Sequence, residues 1–249
     1  MLPARRFVLA LALIVSSVPA AHAQINLAWN NCITQATAAA NKQYACDGSQ
    51  NGVPFRIVQS FIPPTNLGNF VGIETTMSIS LTGSAMPVPD WWKLGVGECR
   101  DGNLTFPASL TGVGTGTTGV CRNPWFGANT GGGYAYESAF TPNVARLRTA
   151  FARDTETSLI AGQQYVGGVI ALDTFNDIDS GAGVCAGCCQ SVTIVLDDVR
   201  LYQTVGSPGG DIIVITTPGT RNVITWNETS QCPVPTHRTT WGAIKTTYR

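Results

Sequence analysis

The chain has 249 residues, with 15 basic and 15 acidic side chains, and only 12% of its residues are charged. This balance excludes a nucleic-acid-binding protein, which would carry a basic stripe. The 27 glycines and the short β-branched runs instead indicate an all-β domain.

The first 23 residues predict a secretory signal peptide. Arg5 and Arg6 form a positive segment, residues 7–18 are apolar but too short to span a bilayer comfortably, and residues 21–23 form an A-x-A cleavage site. The remaining chain, residues 24–249, has 13 basic and 15 acidic residues, a formal charge of −2. No later stretch approaches about 18 consecutive apolar residues, so we expect a secreted or periplasmic protein without a membrane span.

Alternating apolar and polar residues predict strands along most of the chain. The expected strands are 25–29, 55–61, 71–81, 134–140, 144–151, 165–175, 192–202, 212–216 and 223–226. A helix is the alternative for 144–151, but alternation fits this segment better than a 3.6-residue period. The last two strands should form a hairpin-like pair around Pro218-Gly219, and residues 129–133 should form a flexible loop.

The most strand-like run, 192–202, directly follows a cluster of three cysteines. Its apolar residues change parity, so either both faces are covered or a bulge near Asp197-Asp198 shifts the register. We expect a central strand that disulfides hold at its N-terminal end. About nine or ten strands and no convincing long helix predict a single antiparallel β-sandwich or jelly roll over residues 24–249.

An even number of cysteines in an exported chain indicates disulfides. The eight are Cys32, Cys46, Cys99, Cys121, Cys185, Cys188, Cys189 and Cys232. Proximity predicts Cys32–Cys46 and Cys99–Cys121, with Cys232 bonded to one of the three clustered cysteines. A zinc site on Cys185 and Cys188 is the alternative, but a second C-x-x-C motif and a nearby histidine are both missing.

Residues for catalysis are scarce. His237 is the only histidine after residue 23, and the chain has no nucleophile-elbow motif. A glycosidase needs only two carboxylates; the candidates are Glu74, Asp90, Glu98, Glu137 and the pair Asp197-Asp198, which are otherwise ordinary surface charges. We assign no catalytic residue.

One acidic loop suits a structural calcium ion. Asp173, Asp177 and Asp179 supply oxygen ligands at alternating positions before Gly181, and Ca²⁺ takes several oxygen ligands. The loop departs from the EF-hand pattern because no Glu closes it. A plain polar turn is the alternative, and no other cofactor is expected.

The adjacent pair Trp91-Trp92 is the best candidate for ligand binding. An exposed indole offers a flat apolar face for stacking on a sugar ring or on a side chain of a partner protein. The alternative is that both are core residues, because most tryptophan area is buried. Tyr134 and Tyr136, beside the glycines at 131–133, would add a second aromatic surface.

Several spaced motifs together resemble a group of secreted bacterial proteins of unknown function. The motifs are Ile25-Asn-Leu-Ala-Trp-Asn-Asn-Cys32, Cys46-Asp47, Pro89-Asp-Trp-Trp92, Glu98-Cys-Arg100, Cys185-Ala-Gly-Cys188 and Trp241-Gly-Ala-Ile-Lys-Thr-Thr-Tyr-Arg249. The resemblance implies a single exported domain and no activity or substrate. The doubled Cys188-Cys189 departs from the group, where we expect a single cysteine.

We therefore expect a secreted, non-enzymatic β-sandwich that binds a glycan or a protein outside the cell. A carboxylate-based polysaccharide hydrolase or lyase is one alternative, which a cleft with two carboxylates would favour. A structural component of the cell surface is another, which requires a free strand edge or a large apolar patch.

Overall fold

The computed structural model describes residues 23–47, 52–114, 120–174 and 185–229. Within them it has twelve strands and a short 3-10 helix at Asp90–Trp92. The strands are β1 Gln24–Trp29, β2 Asn41–Lys42, β3 Phe55–Ile62, β4 Leu67–Leu81, β5 Leu104–Thr105, β6 Cys121–Arg122, β7 Thr130–Thr141, β8 Val144–Leu159, β9 Gln164–Leu172, β10 Val192–Gln203, β11 Ile212–Ile215 and β12 Val223–Trp226. The predicted all-β fold is confirmed.

The strands form two sheets. One has five strands in the order β1-β3-β9-β5, with β6 also paired to β9; the other has seven in the order β2-β12-β10-β4-β8-β7, with β11 also paired to β10. Among the described strands, only the pairs β2/β12 and β6/β9 are parallel. Buried apolar side chains from both sheets share one core, as in a β-sandwich. In the part of the chain that the structure describes, no helix has the length and apolar character needed to cross a membrane.

The predicted alternation decides which face of each long strand is buried. In β4, Ile73 and Met77 point into the core, whereas Glu74 points to the outer face and is half-buried. Segment 144–151 is a strand, as predicted, and β8 continues to Leu159. Segment 129–133 was predicted to be a loop, and this is wrong, because β7 begins at Thr130 and pairs with β8 through all three glycines.

A bulge explains the parity change in β10. Pairing with β4 shifts register between Leu196 and Asp198. Residues Ile194 and Leu196 before the bulge and Val199 after it are all buried, whereas Asp197 is exposed. The extra residue keeps the apolar side chains on the core face although their numbering changes from even to odd. The strand is also central, as predicted, because it lies between β4 and the strands β11 and β12.

The predicted hairpin of the last two strands is wrong. Strand β11 pairs with the C-terminal half of β10 and β12 with its N-terminal half, so the two do not pair with each other. The connection between them lies along the edge of β1, where the Ile25 N–H donates to the Thr217 carbonyl and the Gly219 N–H to the Ile25 carbonyl. This connection covers an edge that would otherwise be unpaired.

The predicted local disulfides are also wrong. The bonds are Cys32–Cys121, Cys46–Cys188 and Cys99–Cys185. They span 86 to 142 residues, because neighbouring parts of a sandwich come from distant parts of the chain. With Cys185 and Cys188 both bonded, the alternative of a zinc site on them is excluded. Cys189 is disulfide-bonded too, whereas the predicted partner Cys232 lies outside the described residues, as does all of the predicted signal peptide except Ala23.

Candidate functional site

The two predicted binding tryptophans are buried. Trp91 and Trp92 are both 0% exposed. The ring of Trp91 stacks on Trp226 with centroids 4.8 Å apart, and the Arg100 guanidinium lies 3.8 Å from the Trp91 ring centroid. Neither indole presents a face to a ligand, so the prediction of an exposed binding indole is wrong, and the alternative that both are core residues is confirmed. Both belong to an aromatic cluster that the sequence pattern could not distinguish from a surface pair.

The two predicted tyrosines have different environments. Tyr134 is 39% exposed at the edge of the sheet. Tyr136 is half-buried, and its hydroxyl donates to the Trp92 carbonyl. Burial raises the pKa of the Tyr136 phenol, and the negative charge of Glu98 raises it further. Of the two, only Tyr134 has a ring that a partner can reach.

The predicted calcium loop falls mostly outside the described residues, which include neither Asp177 nor Asp179. The Asp173 carboxylate accepts a hydrogen bond from the Thr174 N–H at 2.7 Å. Among the residues that the structure describes, no group of three or more His, Cys, Asp or Glu side chains could hold a metal ion. The calcium site stays a prediction.

A shallow groove crosses the outer face of the seven-stranded sheet. Two adjoining cavities of about 360 and 350 Å³ share Glu74 and Ala150 in their walls. Small residues of three neighbouring strands form the floor. They are Gly131 and Gly133 of β7, Ala150 and Ala152 of β8, and Gly72 of β4. Strand pairing aligns these residues in two rows across the sheet. One row is Gly133, Ala150 and Glu74, and the other is Gly131, Ala152 and Gly72.

Missing side chains create this groove. A Cβ atom added at Gly131 or Gly133 would meet no heavy atom within 4 Å, whereas one at Gly72 would lie 3.1 Å from the Phe151 carbonyl oxygen. A side chain at position 72 would therefore crowd the Phe151 backbone, whereas positions 131 and 133 have room for one. Because glycine weakens a strand, these two glycines lower the stability of β7, and packing in the fold does not explain why they are there. Their effect is to leave the space above the sheet open.

Glu74 and Tyr202 form one wall of the groove. The Tyr202 hydroxyl donates to Glu74 Oε2 at 2.7 Å. This bond to a carboxylate raises the pKa of Tyr202, and partial burial adds to the increase. The other carboxylate oxygen, Oε1, has no hydrogen-bond donor among the described residues. It is a fixed acceptor beside open space.

Two arginines lie on the same face as the groove: Arg148 lines one of the cavities, and Arg200 is opposite Glu74 in the pairing of β10 with β4. The Arg148 Nη2 atom lies 3.5 Å from Glu137 Oε1, and the Arg200 Nε atom lies 3.5 Å from Asp198 Oδ1. Exposed ion pairs of this length contribute little stability, so both guanidinium groups retain N–H donors for a ligand. This face thus combines acceptors and donors with charges that nearly cancel.

The sequence predicted Glu74, Glu137 and the pair Asp197-Asp198 as candidate carboxylates, and the structure places Glu74, Glu137 and Asp198 on this outer face. Asp197, at the bulge of β10, is exposed and accepts a hydrogen bond from the Ser78 hydroxyl at 2.6 Å. Two others lie elsewhere: Asp90 pairs with Lys93 at 2.7 Å, and Glu98 accepts from the Gly95 N–H at 2.7 Å. The roles of Tyr202 and of the β7 glycines were missed. The available signal was the run of three consecutive glycines at 131–133, which was instead predicted to be a loop.

Comparison with protein-family models, with curated proteins and with solved structures finds no match to this chain.

Proposed function

We propose that the protein binds a saccharide chain, outside the cell, in the groove on the outer face of its seven-stranded sheet. The observation that carries the proposal is the open space above Gly131 and Gly133, beside the unbonded oxygen of Glu74. A shallow groove that is open along its length suits a chain ligand better than a small enclosed molecule. No enzymatic step is needed for this role.

The chemistry of the groove matches a sugar. A pyranose has an apolar C–H face and a rim of hydroxyl groups. The glycine and alanine floor is apolar, the Tyr202 ring adds an aromatic wall, and Glu74 accepts hydrogen bonds from hydroxyls in charge-assisted form. Three acidic residues (Glu74, Glu137, Asp198) and two basic ones (Arg148, Arg200) leave a net charge of only −1 on these side chains, which favours a neutral ligand over a polyanion.

An extracellular role is consistent with the disulfides, which persist in oxidising compartments. Three described bonds join distant segments, and Cys99–Cys185 and Cys46–Cys188 both hold the segment that leads into β10. They stabilise the central strand that carries Tyr202 and Arg200. The predicted export of the chain supports the same location.

One observation favours a second candidate, a glycoside hydrolase. In the pairing of β10 with β4, Arg200 is opposite Glu74 and Asp198 is opposite Thr76. Glu74 and Asp198 are thus diagonal neighbours, whose Cβ atoms are about 7–8 Å apart in such pairs. Inverting glycosidases separate their two carboxyl groups by about 6.5–9.5 Å. The two candidates share the site and differ in whether the bound sugar is cleaved.

The test is a broad glycan array with the wild-type protein, Glu74→Gln and Glu156→Gln. Glu74→Gln keeps an oxygen for the Tyr202 hydroxyl but removes the charge. Glu156→Gln makes the same change at an exposed position of β8 and is the control. We expect selective binding by the wild type and the control and at least tenfold weaker binding by Glu74→Gln. A folded wild type that binds no glycan, or a Glu74→Gln variant that binds normally, would overturn the proposal.

The same samples separate binding from hydrolysis. Each glycan that binds is incubated with the wild type and with Glu74→Gln, and newly formed reducing ends are measured. We expect none. Reducing ends that the wild type forms and Glu74→Gln does not would establish the second candidate instead.

A further inference from the structure

Among the described strands, β7 has a partner on one side only. It pairs with β8 on one side, and no other backbone hydrogen bond within the described residues reaches Thr130–Thr141. The free side of β1, by contrast, is covered by the segment around Thr217 and Gly219. Lysine and proline, which usually protect an edge strand, are absent from Thr130–Thr141. Within the described residues, this edge is therefore open to another strand.

Exposed aromatic side chains accompany this edge. The three most exposed aromatic residues of the described chain are Phe126 at 66%, Phe140 at 42% and Tyr134 at 39%. Two lie on β7, and the third lies four residues before it. Aromatic residues are enriched in protein interfaces and often dominate their binding energy. The presence of Tyr134 and Phe140 on this strand favours an interface at its edge.

The edge is complementary to itself. The part of β7 with regular pairing, residues 130–137, can run antiparallel to a second copy about a two-fold axis at Tyr134. Tyr134 then faces its equivalent, and Glu137 of one copy faces Gly131 of the other, where an added side chain meets open space. Glu137, the strand's only charged residue, does not oppose itself. The two Glu137 carboxylates of such a dimer are therefore not opposite each other, and like-charge repulsion between them is avoided.

We infer that two copies of this chain form a symmetric dimer through β7. The two-fold axis is perpendicular to the sheet, so both outer faces lie on the same side and the two grooves meet at the joined edges. An isologous contact of this kind closes after two subunits and removes the free edge. This inference rests on the edge and its aromatic residues, independently of saccharide binding, because the dimer needs no ligand.

Sedimentation of the purified, oxidised protein over a range of concentrations tests the dimer. We expect the wild type to form dimers, and Tyr134→Lys, which places like charges opposite each other at the axis, to weaken dimerisation at least tenfold. Ile212→Lys makes a comparable change at a position 51% exposed on β11, away from β7, and should dimerise normally. A wild type that stays monomeric, or a Tyr134→Lys variant that dimerises normally, would overturn the inference. The first result would leave the edge to a strand of another protein.

A cross-linking experiment tests the register. Opposite residues of an antiparallel pair have Cα atoms about 4.5–5.5 Å apart, which suits a disulfide. Tyr134→Cys should therefore form a covalent dimer under oxidising conditions. Ala139→Cys, on the same strand but far from its own copy across the axis, should not. Equal cross-linking of both variants, or none in Tyr134→Cys, would contradict pairing about Tyr134.

Discussion

Replacing Trp91 with alanine tests whether the tryptophan pair is structural. Trp91 is 0% exposed. Its ring stacks on Trp226, and its ring centroid lies 5.0 Å from that of Trp92. Removing such a ring costs about 3–5 kcal/mol, and losing the aromatic face beside the buried Arg100 costs about 2 kcal/mol more. The sum, about 5–7 kcal/mol, is a large part of the roughly 5–15 kcal/mol that stabilises a domain. We expect Trp91→Ala to unfold readily.

The assay is equilibrium unfolding in guanidinium chloride with the disulfides intact. Trp91→Phe is the control, because phenylalanine keeps a ring for Trp226 and Arg100. The Trp91 indole N–H has no hydrogen-bond partner among the described residues, so phenylalanine loses only packing, about 1–2 kcal/mol. An alanine variant within about 0.5 kcal/mol of the wild type that lost glycan binding would refute the reasoning and restore Trp91 as an exposed binding residue.

Three further predictions concern the core, the bulge and a disulfide. Gln59 donates to two buried threonine hydroxyls, so Gln59→Leu should lower the free energy of unfolding by about 1–2 kcal/mol in urea. Partial burial raises the pKa of the Asp197 carboxyl. The folded protein therefore binds the carboxyl proton more tightly than the unfolded chain does, and ionisation of Asp197 near pH 7 lowers the free energy of unfolding. Asp197→Asn should therefore melt slightly higher than the wild type near pH 7, with the gain disappearing in acid as the wild-type carboxyl becomes protonated. The Cys46–Cys188 bond spans 142 residues, so the double alanine variant should lose about 5 kcal/mol by loop closure, measured by chemical unfolding.

The strands were largely predictable because their signal is local. Each strand carries its own alternation of apolar and polar residues. The parity change in β10 left two alternatives open, and the register shift between Leu196 and Asp198 shows that the bulge is the correct one. Segment 144–151 could be assigned as a strand because two residues, not 3.6, separate its apolar positions. These inferences need only neighbouring residues and one buried face.

The remaining features depend on contacts between distant segments. Nothing near Cys46 in the sequence indicates Cys188 as its partner, and nothing near Trp91 shows that Trp226 covers it. The glycines at 131 and 133 suggested a loop because glycine disfavours strands. They nevertheless form part of strand β7, because the backbone of β8 pairs with them. The groove exists only because glycine and alanine of three strands align, which requires the register of the sheet.

The most direct test of the groove is to fill it. Gly133→Val adds a β-branched side chain that suits a strand and meets no neighbouring atom within 4 Å. Gly68→Val adds the same side chain at an equally open position of β4 outside the groove. Calorimetric titration with the glycan that the array selects should show at least tenfold weaker binding by Gly133→Val and wild-type affinity for Gly68→Val. Unchanged affinity in a folded Gly133→Val variant would contradict a binding site above these glycines.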